Sequence, residues 1–252
     1  MSTAVPLAPA PADCAVRAAA IEDELRALSD PVKRDFLPRF FKTGPGQYGE
    51  GDRFLGVVVP HVRRVAKAHR DEPQGVVGQL LQSPWHECRL CALLMLVERY
   101  ARADSDTRAA IYAFYLSHTG GINNWDLVDL SAPYIVGRHL LDRPRADLYR
   151  LADSPVLWEQ RIAVVATLML IRHGQYADTL ALAERLLHHP HDLMHKAVGW
   201  TLREVGKRDK PQLVAFLARH AAHMPRTALR YAVERLPEDE RRAFMKMGRG
   251  RR

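Results

Sequence analysis

A tryptophan and an aspartate stand four residues apart near the middle of the chain, within the run Asn123-Asn124-Trp125-Asp126-Leu127-Val128-Asp129. If this run is helical, Trp125 and Asp129 lie on the same face. A second tryptophan stands in a stripe of cations at helical spacing, formed by Lys196, Trp200, Arg203 and Lys207. A buried stripe would not carry three cations, and a fully solvated one would not need an indole. The pattern therefore favours a binding surface.

Arg161 lies between these two groups in the sequence. If structural repeats stack in register, one ridge would carry cations for phosphates, indole faces for a sugar or a cationic base, and one carboxylate. The alternative is structural: Trp125 and Trp200 pack in the core, and Asp129 caps a helix or forms a local ion pair. The coincidence of five such residues favours the binding ridge, which comprises Trp125, Asp129, Arg161, Trp200 and Arg203.

The segment Gly44–Gly51 contains a formal G-x-G-x-x-G pattern. A dinucleotide site needs a strand before this pattern and a helix at its third glycine. Here a helix-like segment precedes it, and Pro60 suits the first turn of the next helix, which we expect to run through Lys67. The sequence therefore predicts a glycine-rich loop rather than a nucleotide site.

Two further motifs suggest a metal, but neither has a complete ligand set. Cys88 and Cys91 lie inside a helical apolar stripe and lack a second pair of ligands, which indicates buried structural thiols. His191 and His195 are four residues apart, but Asp192 stands where a zincin has its glutamate, and no third ligand is near. We expect no metal and no cofactor.

The elements that must position these residues are helices. Apolar residues recur at helical spacing, as in Leu90, Leu93, Leu94 and Val97, and strand-like alternation is nearly absent. Helix starts also recur, at Ser83-Pro84, Ser154-Pro155 and His189-Pro190, each followed by a basic residue and alanine. Their basic residues are Arg89, Arg161 and Lys196.

Arg89 and Arg161 are 72 residues apart, Lys196 follows after 35 more, and Trp125 lies 36 residues from both arginines. A period of this length predicts an all-α superhelical solenoid of helical hairpins with a concave basic groove. We expect a disordered lead at residues 1–13, one continuous domain at 14–246 and a basic tail at 247–252.

Composition agrees with a polyanionic partner. The 252 residues are 47% hydrophobic and 26% charged, and glycine and proline total 31, which excludes fibrous and disordered classes. A net charge of +8 favours nucleic acid or an anionic surface, although an arginine-rich genome would give the same excess. Three cysteines, no export signal and no long apolar run lead us to expect a cytoplasmic monomer without membrane contact.

On these residues the sequence resembles the AlkD-type DNA alkylation repair proteins, HEAT-like-repeat glycosylases that remove alkylated purines. The resemblance covers about Phe36 to Arg235 and is most specific in three runs: Asn124–Asp129, Leu157–Ala163 and Lys196–Glu204. It implies a base-excision-repair hydrolase that acts on duplex DNA, requires no cofactor and works without turning the base out of the duplex.

The resemblance also implies roles for individual residues. Asp129 would be the catalytic aspartate, and Trp125 and Trp200 would pack against the deoxyribose of the damaged nucleotide. Arg161 would hold the nearby phosphate, and Arg203 follows Trp200 as in the family. The remaining expected DNA contacts are Lys196, Lys207 and Phe40.

Three features depart from the family pattern. Asn124 replaces the first tryptophan of an aromatic pair, Phe40 aligns with a tyrosine, and the Gly44–Gly51 loop is longer. The changes at Asn124 and Phe40 leave open a DNA-binding solenoid without catalysis. The repeat period alone leaves open a third alternative, a protein-interaction scaffold.

Overall fold

The computed structural model describes residues 10–247. Helices make up 69% of the structure, and no β-strand forms within the described residues, which confirms the all-α class. The first nine residues of the expected lead, and the basic tail after Met247, lie outside the described range. Over residues 10–247, no helix is both long and apolar enough to cross a membrane.

The chain divides into two compact units, Met1–Ser131 and Ala132–Arg252. The described helices of unit 1 are α1 (Pro11–Ala27), α2 (Pro31–Phe40), α3 (Val59–Ala68), α4 (Gln74–Leu81), α5 (His86–Arg102), α6 (Ser105–Ser117) and α7 (Trp125–Asp129). Those of unit 2 are α8 (Ala146–Ala152), α9 (Leu157–Arg172), α10 (Ala177–Arg185), α11 (Asp192–Gly206), α12 (Lys210–His220), α13 (Arg226–Ala232) and α14 (Glu238–Lys246). A single continuous domain, the solenoid and its basic groove stay predictions.

The first helix corrects one expected boundary. Residues 11–13 were predicted to belong to a disordered lead, but α1 begins at Pro11. Proline suits the first turn of a helix, and the carboxylate of Asp13 faces the positive end of the helix dipole. The helix buries Cys14, Ile21 and Leu25, so its first turn is fixed by packing further along the same face.

The expected helix starts are confirmed. The three Ser-Pro or His-Pro sites precede α5, α9 and α11, and α3 begins one residue before Pro60. Their anchor arginines bind backbone carbonyls. Arg89 donates to the carbonyl of Ser83 at 2.7 Å, and Arg161 donates to the carbonyl of Leu193 at 2.7 Å. A buried guanidinium that binds a backbone carbonyl thus accounts for part of the repeat.

The core of unit 1 is built around α5, which packs against α3 and α4 and buries most of its length. Cys88 and Cys91 lie in this core with no exposed surface, which confirms that they are buried thiols. Burial raises the pKa of the Cys88 thiol to about 12 and raises the pKa of Cys91 as well.

The core of unit 2 is built around α9 and α11, which pack against each other. Helix α11 also packs closely on α13 at Gly199. A Cβ atom at this position would lie 2.5 Å from the carbonyl oxygen of Ala228, so only glycine permits this approach. The close packing fixes how α11 lies against α13.

Candidate active site

Unit 1 contains an apolar cavity of about 520 Å³, which is within the range of small-molecule pockets. Its walls come from α2, α5, α7 and the segment that precedes α3. The phenylalanine and tryptophan side chains in the lining are Phe36, Phe40, Phe41, Phe54 and Trp125, and its basic side chains are Lys33 and His86. The acidic side chains in the lining are Glu87, Asp126 and Asp129. The structure thus brings Trp125, Asp129 and Phe40, three of the predicted site residues, into one cavity.

Helix α7 positions two of them. Trp125 is its first residue and Asp129 its last, and both are half-buried. Asn124 caps this five-residue helix, because its Oδ1 accepts a hydrogen bond from the backbone N–H of Trp125 at 2.9 Å. Asn124 itself has no exposed surface. The asparagine that departs from the family pattern is therefore an internal cap.

The rings form a continuous wall. Phe41 stacks on Trp125 with centroids 5.2 Å apart and planes 16° apart, and Phe40 meets Trp125 edge to face at 6.0 Å. Phe41 also stacks on Phe54 at 4.9 Å, and Phe54 stacks on the imidazole of His86 at 4.6 Å. Phe40 is 50% exposed, so the wall reaches the surface.

A buried chain of charges lies behind this wall. His86 bridges two carboxylates: its Nδ1 lies 2.7 Å from Oδ2 of Asp52, and its Nε2 lies 2.8 Å from Oδ2 of Asp126. Arg89 forms a short ion pair with Asp52, and Asn124 donates to Asp52 at 3.3 Å. The network joins Asp52, which follows the Gly44–Gly51 loop, to α5 and α7, and it orients the helix that carries Asp129.

The network sets the protonation of its members. Burial would lower the pKa of His86, but Asp126 and Asp52 oppose it and raise this pKa to about 9. Burial would raise the pKa of Asp52, but the hydrogen bonds and charges of His86 and Arg89 hold it below its usual value. His86 is therefore an imidazolium at neutral pH, held between the side chains of Asp52 and Asp126.

Glu87 fixes the segment at the edge of the cavity. Its carboxylate accepts hydrogen bonds from the backbone N–H groups of Leu55, Gly56 and Val57 at 2.8 to 3.0 Å. Gly56 has a φ of 88°, and a Cβ atom there would lie 2.7 Å from the backbone nitrogen of Arg34. Glycine is thus required where this segment meets the first turn of α2, the helix that supplies Phe36 and Phe40.

The other predicted site residues belong to unit 2. Trp200 is half-buried and lines a groove of about 250 Å³ with Arg172 and Arg208. Arg161 is 5% exposed, and its guanidinium is engaged with the carbonyl of Leu193. Its contact with a DNA phosphate stays a prediction and requires the side chain to leave this hydrogen bond. A common ridge for Trp125, Asp129 and the residues of unit 2 also stays a prediction.

The cationic stripe is paired with acids. Lys196 lies 2.9 Å from Asp192, Lys207 lies 2.6 Å from Glu204, and Arg203 forms a short ion pair with Glu234. The acids beside the two lysines are visible in the sequence at helical spacing, whereas Glu234 stands 31 residues from Arg203. The stripe is therefore less positive than its cations alone suggest.

The histidines near α11 are engaged locally. His191 caps the helix by accepting from the backbone N–H of Leu193 at 3.1 Å, and His195 donates to the carbonyl of His189 at 2.6 Å. Among residues 10–247, no group of three or more potential ligands could hold a metal.

Several residues around the cavity were not predicted to form the site: Phe41, Asp52, Phe54, His86 and Asp126. Their contacts join residues 32 to 84 positions apart, so no local spacing indicates them. Asp126 was within a predicted motif, but only the position of His86 in space shows its partner.

The fold and the site define a class of protein: an all-helical protein with a carboxylate in an aromatic cavity. The chain belongs to the DNA alkylation repair enzyme family, whose model matches residues 21–236. This confirms the predicted family.

One solved structure, described as a predicted DNA alkylation repair enzyme from Enterococcus faecalis, is similar in fold with a TM-score of 0.65. It is 16% identical, and the match covers 83% of this chain and 97% of that chain. A search of curated protein sequences gave no significant match.

Proposed function

We propose that this protein is a DNA glycosylase that hydrolyses the N-glycosidic bond of N3- or N7-alkylated purines in duplex DNA. One observation carries the proposal: Asp129 and Trp125 line the same aromatic cavity, on a helix fixed by a buried ionic network. Membership of the family supports DNA alkylation repair as the process.

The chemistry suits this arrangement. Alkylation at N3 or N7 makes the purine cationic, so the bond to C1′ is weakened and the base leaves as a neutral molecule with the bonding electron pair. The sugar then develops positive charge. The carboxylate of Asp129 and the π-face of Trp125 stabilise this charge more in the transition state than in the ground state.

Water completes the reaction. Its oxygen forms the new bond to C1′ as the C1′–N bond breaks, and Asp129 accepts its proton. Phe40, half exposed at the cavity, contacts the nucleotide. The role of Trp200 against the deoxyribose stays a prediction from the family resemblance. The contacts of Arg161, Arg203, Lys196 and Lys207 with phosphates belong to the same proposal.

Base release tests the proposal directly. Wild-type protein should release 7-methylguanine or 3-methyladenine from methylated duplex DNA, and Asp129→Asn should slow release by about 10²-fold or more because charge stabilisation and proton acceptance are lost together. Asp106→Asn is the matched control, because Asp106 is an exposed aspartate of α6 in the same unit.

The proposal is wrong if the wild-type protein releases neither base. Salt-sensitive DNA binding without release would instead favour a DNA-binding protein that lacks catalysis. Asn124, which departs from the family pattern, motivates this second hypothesis.

A further inference from the structure

We propose that the exposed face of α3 is a contact surface for the DNA backbone, and that Arg63, Arg64 and Lys67 neutralise phosphates close to the damaged nucleotide. These three residues are called the α3 cations below. The choice of DNA as the partner rests on the proposed function. None of the three belongs to the binding ridge or the cationic stripe that the sequence predicted.

Helix α3 has one buried face and one cationic face. Val62, Val65 and Ala66 are buried, and the helix packs against α5. The α3 cations are exposed and lie on the opposite side of the helix. The buried face therefore fixes the direction in which these cations project from unit 1.

The α3 cations have no acidic partner. Among residues 10–247, none of their side chains forms an ion pair or a hydrogen bond, and α3 itself contains no acidic residue. The next acids along the chain are engaged elsewhere, because Asp71 lies 3.4 Å from Arg70 and Glu72 lies 2.6 Å from Arg17. Like charges three or four residues apart on a helix repel one another. An anionic partner would relieve this repulsion.

The cationic stripe of unit 2 differs in this respect. Lys196, Arg203 and Lys207 each lie beside an acid, so a phosphate that binds them must displace a carboxylate. At α3 no carboxylate has to be displaced. Phosphates bound there release counterions from DNA without the loss of an ion pair in the protein.

The cationic face of α3 begins at the candidate site. Pro60, Arg63, Arg64 and Lys67 stand at positions i, i+3, i+4 and i+7, so they share one face of the helix. Pro60 lines the same cavity as Asp129. A duplex whose damaged nucleotide lies at Asp129 would thus continue over α3, and this backbone contact requires no base to leave the duplex.

The length of this face sets the expected reach. At a rise of about 1.5 Å per residue, Lys67 lies about 10 Å along the helix from Pro60. A duplex advances by about 3.4 Å per base pair, so the face spans about three base pairs. We therefore expect the contacted phosphates to lie within about three base pairs of the lesion.

Two other basic side chains line the cavity but suit this role less well. Lys33 lies 3.0 Å from Asp30 and is ion-paired with it. His86 is 2% exposed and is held between two carboxylates. Neither offers an exposed charge without a partner, so phosphate neutralisation beside the cavity falls to the α3 cations.

Salt dependence of binding to an undamaged duplex tests the proposal without catalysis. The triple variant Arg63→Gln/Arg64→Gln/Lys67→Gln should reduce the slope of the logarithm of affinity against the logarithm of salt concentration by about three, roughly one for each phosphate. Glutamine is a good helix former and the three positions are exposed, so α3 should persist. Circular dichroism and thermal unfolding verify this.

Two controls separate this face from net charge. The variant Arg17→Gln/Arg26→Gln/Arg102→Gln removes the same charge from exposed positions of unit 1 outside α3 and should leave the slope nearly unchanged. The variant Arg63→Lys/Arg64→Lys keeps the charge and should keep the slope. An equal reduction in both triple variants would overturn the proposal.

Uncharged phosphates locate the contact. Single methylphosphonates are placed around one 7-methylguanine, and binding is measured with Asp129→Asn protein so that hydrolysis is slow. Substitution within about three base pairs of the lesion, on one side, should weaken binding severalfold. Adding the α3 triple variant should abolish this sensitivity, because the cations that contact those phosphates are then absent. Sensitivity that persists in the combined variant would overturn the proposal.

The outcomes separate the two proposals. Base release by the wild-type protein together with an unchanged salt slope in the α3 triple variant overturns the role of α3 and leaves the glycosylase intact. That result would leave the face to another anionic partner, such as an acidic protein. Absence of base release together with a reduced slope overturns the glycosylase and supports α3 as a DNA contact.

Discussion

At the scale of single residues, His86 is the link between the core and the candidate site. One imidazole contacts carboxylates from two segments that are far apart in the sequence, Asp52 and Asp126, and is itself 2% exposed. A buried ion pair contributes little net stability, but removal of one partner leaves an uncompensated charge. The main effect of replacing His86 would therefore be to leave the buried side chains of Asp52 and Asp126 without their shared partner.

Replacement of His86 should cause a pH-dependent loss of stability. Because its pKa is raised from 6.5 to about 9, the imidazolium stabilises the fold fully below pH 6.5, and this contribution is lost as the pH rises through about 9. We expect His86→Gln to lower the free energy of unfolding by about 3–5 kcal/mol at low pH. Urea titrations below pH 6.5 and above pH 9 should show that the difference in free energy of unfolding between variant and wild type, the stability gap, narrows as the pH rises.

His188→Gln is the control, since His188 is an exposed histidine of unit 2. The interpretation fails if the gap between His86→Gln and wild type is independent of pH, or if His188→Gln shows the same pH dependence.

At the scale of elements, α7 is short and depends on its surroundings. Five residues make too few internal hydrogen bonds for an isolated helix, so the cap and the contacts of Asp126 must hold it. The side chain of Asn124 binds the start of α7 with its oxygen and Asp52 with its nitrogen. The helix that positions Asp129 is thus fixed at its first turn.

Asn124→Ala should lower the free energy of unfolding by about 1–2 kcal/mol, because it removes the cap and leaves Asp52 with one donor fewer. It should also slow base release, because Asp129 loses its fixed position. Asn124→Ser is the matched variant, since serine restores a capping oxygen and should recover part of the stability. Chemical unfolding and base release are measured on the same preparations. Equal stability and equal release rates for Asn124→Ala and Asn124→Ser would contradict this role of the cap.

The sequence predicted elements better than contacts. The Ser-Pro sites and the apolar spacing of Leu90 and Leu94 predicted α5 because these signals are local. The shared face of Trp125 and Asp129 was also predictable, since both belong to one helix. The partners of His86 and Arg203 could not be predicted, because each contact depends on where packing places residues that are more than 30 positions away.

At the scale of the whole molecule, the net charge of +8 is less available to DNA phosphates than the count of charged residues suggests. Lys196 and Lys207 are ion-paired, yet their side chains remain 42% and 38% exposed. DNA phosphates can therefore compete with Asp192 and Glu204 for these lysines. Arg161 is 5% exposed, so a phosphate contact there requires its guanidinium to leave the carbonyl of Leu193.

Salt dependence of DNA binding should reveal whether these lysines bind phosphates. The logarithm of affinity should fall linearly with the logarithm of salt concentration, and the double variant Lys196→Ala/Lys207→Ala should reduce the slope by about two, roughly one for each phosphate that is no longer neutralised. Lys210→Ala is the control, because Lys210 is also exposed and paired, with Glu240, but lies outside the predicted set. An unchanged slope in the double variant, measured by anisotropy, would exclude both lysines from the DNA interface.

The buried thiols have a consequence for a protein that meets DNA-methylating agents. Such agents also attack sulfur, and they react fastest with an exposed thiolate. All three cysteines of the chain are buried, and burial keeps Cys88 and Cys91 protonated. The folded protein therefore offers methyl donors no accessible cysteine sulfur, and it can persist under the chemical stress that creates its proposed substrate.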